Sequence, residues 1–337
     1  MLDVQEIIRR IEDVAPPKYQ ADWDRSGVQA AGRATEAGRL AVMLDPRPES
    51  IAGALDWGAR FILCHHPLSL SPRLPDRLDD YHETLRLLLA SDAWLYAAHT
   101  SLDCQPLGPM AWLARRLWLA NLRVIQPLAD ITASEMRFEL AEPLTKEQKA
   151  ALLMLNEVAS VHEEQGRLRV ICESDARRKV ADQIVQAAGR TVGYTALVLD
   201  EPRRVLGFGL LGELKEPMPA EQFLRDLAGC VGRGFWIAAG KEPETISRVA
   251  YCPGSGGSLV RRAFELGADV YITGDVKYHE AQNATGLVLD VGHFVLEEKM
   301  MQAFHDRLQA DLGMHGIETK YFPGREPMRL VSHGRPE

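Results

Sequence analysis

Five side chains able to bind a metal recur at strand ends and a helix start in this chain of 337 residues: His65, His66, Asp103, His293 and Glu297. His65 and His66 close a short apolar run within FILCHHPLS, and Pro67 stops that run at once. Adjacent residues on a strand point to opposite sides, so these two are expected to serve two neighbouring ions, one each. Taken alone, an HH pair reads more readily as capping or core histidines. His293 and Glu297 are four residues apart, which places them on one helical face about 6 Å from each other. Three imidazoles and two carboxylates make a nitrogen and oxygen donor set that suits zinc, iron, manganese or cobalt and does not suit calcium. Five ligands are too many for one tetrahedral zinc with an open position. They fit two divalent ions ~3.5–4 Å apart that share a carboxylate. Two such ions carry more positive charge than two carboxylates return, which favours an anionic small-molecule substrate such as a phosphate. Imidazole binds only when neutral, so ordinary histidines (pKa ~6.5) predict metal loss on acidification through about pH 6.

The elements around these residues explain how they could meet. A strand over 40–44, a helix from Pro48 and the strand over 61–64 form a βαβ unit, whose crossover should be right-handed. Pro48 suits a first helical turn, where its missing N–H costs nothing. A helix over 80–91 leads to a third strand, 94–98, which ends in His99 and then Asp103, before a helix over 110–119. In the second half, strands over 248–252, 269–273 and 287–291 end respectively in a glycine-rich run, in Gly274-Asp275 and in Gly292 before His293. Open α/β sheets bind ligands at the carboxyl ends of their strands. On that ground His99, His279, Gly254, Ser255 and Gly256 are candidates for the pocket. The run from Gly254 to Ser258 opens a helix and could offer N–H groups to an anion, though it lacks the lysine of a P-loop.

Between 129 and 201 the pattern changes to βαββαβ, a ferredoxin-like α+β arrangement. It reads as a domain inserted between two halves of a metal-binding α/β core, 1–128 and 202–337.

Composition narrows the class. The net charge of −8 and the pI near 5.7 argue against a nucleic-acid protein that relies on a broad basic face. Five scattered cysteines, none in a CxxC pair, give neither a disulfide framework nor a zinc knuckle. No apolar run approaches the ~18 residues of a membrane span, and the acidic N-terminal stretch is expected to be an amphipathic helix rather than a signal peptide. A cytoplasmic protein is expected.

The stretches DWDRSGVQ around Trp23, FILCHHPLS, YAAHTSLD, YCPGSGGSLVRRAFELGADVYITGDVKYHEA and DVGHFVLEE resemble those of the Nif-three-like dinuclear metal-centre family, the GTP cyclohydrolase 1 type 2 homologues. The resemblance covers nearly everything outside the insert. It implies a core of mostly parallel sheets with helices, an inserted α+β domain and a toroidal homohexamer. It also implies His65, His66, Asp103, His293 and Glu297 as ligands. Glu297 would bridge, with His65 and His293 on one ion and His66 and Asp103 on the other. Three positions depart from the family pattern: Arg25 and Ser101 replace asparagines, and Asp275 stands where many members have glutamate. Two functions follow as expectations. One is a metal-dependent hydrolase of a phosphoester or a nucleotide-like ring; the other is a non-catalytic metal regulator or delivery protein.

Overall fold

In the computed structural model of the chain, the run before the two histidines is a strand, Phe61–Cys64, buried along its whole length. Its alternation sends Phe61 and Leu63 into one core and Ile62 and Cys64 into another, as in strands covered on both faces. The structure describes residues 1–155 and 157–331. It divides into two units, Met1–Leu128 with Gly207–Glu337, and Ala129–Leu206.

The first unit is mixed α/β and contains two larger sheets. One has the order Glu318–Phe322, Arg39–Met43, Phe61–Cys64, Trp94–Ala97, Gly27–Ala30. All neighbours are parallel except the last pair, so four carboxyl ends gather at one edge. In the other, Thr245–Ser255, Val270–Gly274 and Leu287–Asp290 run parallel. Antiparallel neighbours flank them, Ile237–Ala239 on one side and the end of Tyr194–Pro219 on the other.

The helix His293–Gly313 joins these sheets through a common core. Its buried residues Leu296, Met300, Phe304, Leu308 and Leu312 recur every fourth position. They pack in one cluster with Leu40, Val42, Phe61 and Leu63 of the first sheet and Val249, Tyr251, Val270 and Ile272 of the second. Each such side chain contributes about 1.5–3 kcal/mol by burial, so the helix start is held firmly where the strand ends converge. Gly292, with φ of 96°, makes the turn from the strand Leu287–Asp290 into this helix.

The helix expected over 110–119 is shorter. A 3-10 turn, Pro109–Ala111, precedes Trp112–Arg116, and Trp118 takes a left-handed φ of 54° as the chain turns into the strand Ala120–Glu139.

In the second unit the helix Lys146–Leu153 starts at a capping box formed by Thr145 and Gln148. Val158–Glu164 and Arg167–Glu173 pair antiparallel, and Arg167–Glu173 also pairs with the 133–139 portion of Ala120–Glu139. This unit has its own core, which includes Met136, Phe138, Leu168, Val170, Val180 and Ile184. The first and last strands of the expected βαββαβ pattern are parts of two much longer ones, Ala120–Glu139 and Tyr194–Pro219. The polar residues within them are mostly exposed, and the strands run on past them. No described helix is long and apolar enough to cross a membrane.

Candidate metal centre

The strand Phe61–Cys64 does not continue through the two histidines. Their backbone N–H groups both donate to the Leu44 carbonyl, at 3.0 and 3.1 Å, which curls the chain off the sheet. Strand alternation therefore ends at Cys64. The two rings lie with centroids 5.0 Å apart, and both approach Glu297. This corrects the expectation that they point to opposite sides.

Each imidazole of the cluster is anchored through Nδ1. His66 bonds Asp45, His99 bonds Asp24 and His293 bonds Asp275, all at 2.7 Å, while His65 bonds the Ala98 carbonyl at 2.8 Å. Carboxylates and carbonyls only accept, so Nδ1 carries the proton and Nε2 is the atom left for a ligand. Sequence reasoning missed Asp24 and Asp45 in this role. The available signal for Asp45 was its place directly beyond a buried strand.

The Nε2 atoms converge on Glu297, a residue only 3% exposed. Its Oε2 lies 3.0 Å from His66 and 2.8 Å from His293, whereas Oε1 lies 3.6 Å from His65. Asp103 Oδ1 is also 3.6 Å from His65 Nε2. Distance thus groups His66 with His293 and His65 with Asp103. The pairing implied by resemblance, His65 with His293 and His66 with Asp103, is replaced. The reason is the curl after Cys64, which takes His66 towards the start of the helix His293–Gly313.

Although these spacings suit ion pairs, several are not aligned as hydrogen bonds. His65 Nε2, Asp103 Oδ1, His293 Nε2 and Glu297 Oε2 are buried without a hydrogen-bond partner. Four such atoms in one place is costly in protein interiors unless a cation completes them. The ligating atoms of His66, His293 and Glu297 lie within 4.8 Å of one another, as do those of His65, His66 and His99. Each group could hold a metal ion.

Electrostatics separate the histidines. Burial pushes His65 down, towards the neutral ligand form. Burial also opposes charge on His66, but Asp45 and Glu297 outweigh it and push its pKa up to about 10. The same balance, with Glu297 and Asp275, brings His293 to about 9. Proton loss from these two rings is therefore displaced well above the value near 6.5 expected from ordinary imidazole. Burial and the nearby Glu297 raise Asp103 well above the usual carboxylate range. Burial opposes the charge on Glu297 too, but the surrounding histidines hold its carboxyl well below that range.

Of the further candidates, His99 belongs beside the cluster, with its ring centroid 5.1 Å from His65 and 5.6 Å from His66. Its partner Asp24 is buried and also accepts from Thr100 N at 3.0 Å and Ser26 Oγ at 2.8 Å. Ser101 donates to Ser26 at 3.1 Å, so two of the positions that depart from the family pattern, Ser101 and Asp275, support site histidines. Gly254 is used differently from the expectation. The strand Thr245–Ser255 continues through it, and a Cβ there would collide with Glu297 Oε1. Gly256 likewise leaves no room for a Cβ beside Thr273 and Tyr271, and Ser255 is exposed. The helix that follows, Val260–Glu265, is only six residues long. Close packing accounts for the glycines. His279 is exposed on the short helix Tyr278–Gln282, its ring edge against Tyr278, and is not part of either metal-capable group.

Comparison with known proteins agrees with this fold. A "GTP cyclohydrolase 1 type 2 homolog" of Halalkalibacterium halodurans is 26% identical over 345 residues, spanning 90% of this chain and 92% of the relative. One of Staphylococcus aureus is 23% identical over 371 residues, spanning 95% and 99%. The crystal structure of a Bacillus cereus protein related to NIF3 superposes with a TM-score of 0.84 at 25% identity, covering 98% of this chain and 99% of that one. The description Duf34/NIF3 (NGG1p interacting factor 3) matches residues 2–324, and the chain belongs to that family.

Proposed function

We propose that this protein is a divalent-metal-dependent hydrolase with a two-ion centre, acting on a phosphorylated or nucleotide-like small molecule. The observation that carries the reading is the divided address of Glu297, whose two carboxylate oxygens face two different sets of ligands. Four buried polar atoms without partners fit cations as their missing neighbours. In this reading His65, Asp103 and Glu297 would hold one ion, and His66, His293 and Glu297 would hold the other. Zinc, iron, manganese and cobalt all suit the donors. When bound, such ions would supply Lewis acidity towards a phosphoryl oxygen and a lowered pKa for water near neutral pH.

The chain's own groups do the rest. Asp45, Asp275 and the Ala98 carbonyl fix the ring orientations of His66, His293 and His65. Asp24 orients the His99 ring beside those of His65 and His66, at the edge of the same site. The name carried by the curated relatives supports a nucleotide-like substrate. A homo-oligomer, hexameric by the family resemblance, belongs to the same proposal and is read by light scattering.

Elemental analysis of reconstituted protein, followed by a phosphoester and nucleotide hydrolysis screen, tests the reading. About two first-row ions per chain and metal-dependent turnover are expected. No ion, or firmly one, removes the two-ion centre. Two ions passed readily to an acceptor, with no turnover of any compound, would make this a delivery or regulatory protein.

A further inference from the structure

A cleft of about 820 Å³ opens beside the histidine cluster, between residues 43–50 and 322–329. Asp45 belongs to both places, since it lines the cleft and holds His66 Nδ1 at 2.7 Å. The facing wall is the loop PGREPMR, which follows the strand Glu318–Phe322. Two bonds tie this loop to the start of the helix His293–Gly313. Gly324 N donates at 2.9 Å to Glu298, the residue after Glu297. Glu326 accepts at 3.2 Å from Arg233, whose Nη1 donates at 2.6 Å to the Val291 carbonyl, two residues before His293. The loop is therefore positioned by the same backbone that positions the candidate ligands.

The cleft is formally neutral on a chain of net charge −8, but its carboxylates are unequally free. Arg47, Arg325 and Arg329 line it together with Asp45, Glu49 and Glu326. Asp45 is committed to His66 and Glu326 to Arg233, neither of which lines the cleft. Three arginines then face one uncommitted carboxylate, that of Glu49, on a protein whose net charge is −8. Arg47 is 3.9 Å from Asp80, an exposed pairing of little strength. Arg325 and Arg329 have no carboxylate partner among the described residues. Arginine forks bind phosphate oxygens in pairs, and the volume is that of a small-molecule site.

Resting on the hydrolase reading above, we propose that this cleft seats the phosphate of a phosphorylated organic substrate. Arg325 and Arg329 grip it from the loop, and Arg47 does so from the opposite wall.

The test titrates guanosine triphosphate, p-nitrophenyl phosphate and inorganic phosphate into the full-length protein by calorimetry, with metal content measured on the same samples. R325A/R329A should weaken triphosphate binding at least tenfold with metal content unchanged, and R325K/R329K should fall between it and wild type. The organic phosphates should bind more tightly than inorganic phosphate. Equal triphosphate affinity in wild type and R325A/R329A, at equal metal content, overturns the proposal. Inorganic phosphate binding as tightly as both esters overturns the organic-substrate part. Arginine-dependent binding by a protein that holds no metal would support the cleft and sink the hydrolase reading.

Discussion

Gly254 and Glu297 share one space: a Cβ on Gly254 would stand where the Oε1 oxygen of Glu297 lies. The strand Thr245–Ser255 thus passes directly beneath the carboxylate on which the candidate ligands converge. Gly254 also holds a left-handed φ of 67°, where an L side chain is strained. Space and backbone conformation independently call for glycine at this position.

Gly254→Ala should therefore displace the Glu297 carboxylate while leaving the two sheets intact. The left-handed backbone costs about 1 kcal/mol or more with a side chain, a modest loss for the core around it. Metal content should fall by at least one ion while the circular dichroism spectrum stays native. Wild-type metal content in the folded variant would mean that Oε1 is not where an ion bonds.

Glu297→Gln tests the bridge itself. The change keeps the shape but removes one negative charge from a place that two cations would share. At about 4 Å separation their repulsion is then less compensated, in a site poorly reached by water. Loss of at least one ion and of any hydrolysis is expected. Asp103→Asn should be milder, emptying mainly the position shared with His65. Two ions retained at full affinity in the glutamine variant would exclude a bridging Glu297.

Much of this site was legible because its chemistry stands at the ends of runs that are apolar on both faces. Phe61–Cys64 and Leu287–Asp290 announce themselves by composition, and the residues just beyond them are the candidate ligands. Asp24 was not legible as an anchor, since it reaches His99 across 75 residues from an irregular loop. The ring directions of His65 and His66 were misread because one carbonyl, that of Leu44, captures both N–H groups and breaks strand alternation. The glycine-rich run suggested an anion, yet the tight contacts at Gly254 and Gly256 show that it answers to the packing of side chains distant in sequence. No local pattern encodes such a contact.

Asp45→Asn should separate the two ion positions. Asp45 bonds His66, so the substitution leaves a possible hydrogen bond but removes the charge that supports the ring. Losses of about 10- to 100-fold in metal affinity are typical when such a partner is removed. The loss should fall on the ion held by His66 and His293, with the one at His65 and Asp103 retained. Titration with cobalt, followed by its visible spectrum, resolves the two steps. Equal weakening of both would contradict the grouping by distance.

Metal loading should release protons. Asp45 and Glu297 push His66 up to about 10, and Glu297 with Asp275 push His293 up to about 9, which favours the charged form of both at pH 7.5; each must then lose a proton before its Nε2 can bind. His65, pushed down by burial, contributes none, and Glu297 is already ionised. Asp103, raised well above the carboxylate range, can add to the release. The sign follows: affinity rises with pH, by up to about 100-fold per unit for two protons, until the higher pKa is passed, and falls on acidification from well above pH 6. Calorimetric titration of metal in buffers of different ionisation enthalpy counts the protons directly. About two per chain, or slightly more, are expected at pH 7.5. A release near zero would mean that the imidazoles are neutral before metal arrives, and that their carboxylate partners orient them without charging them.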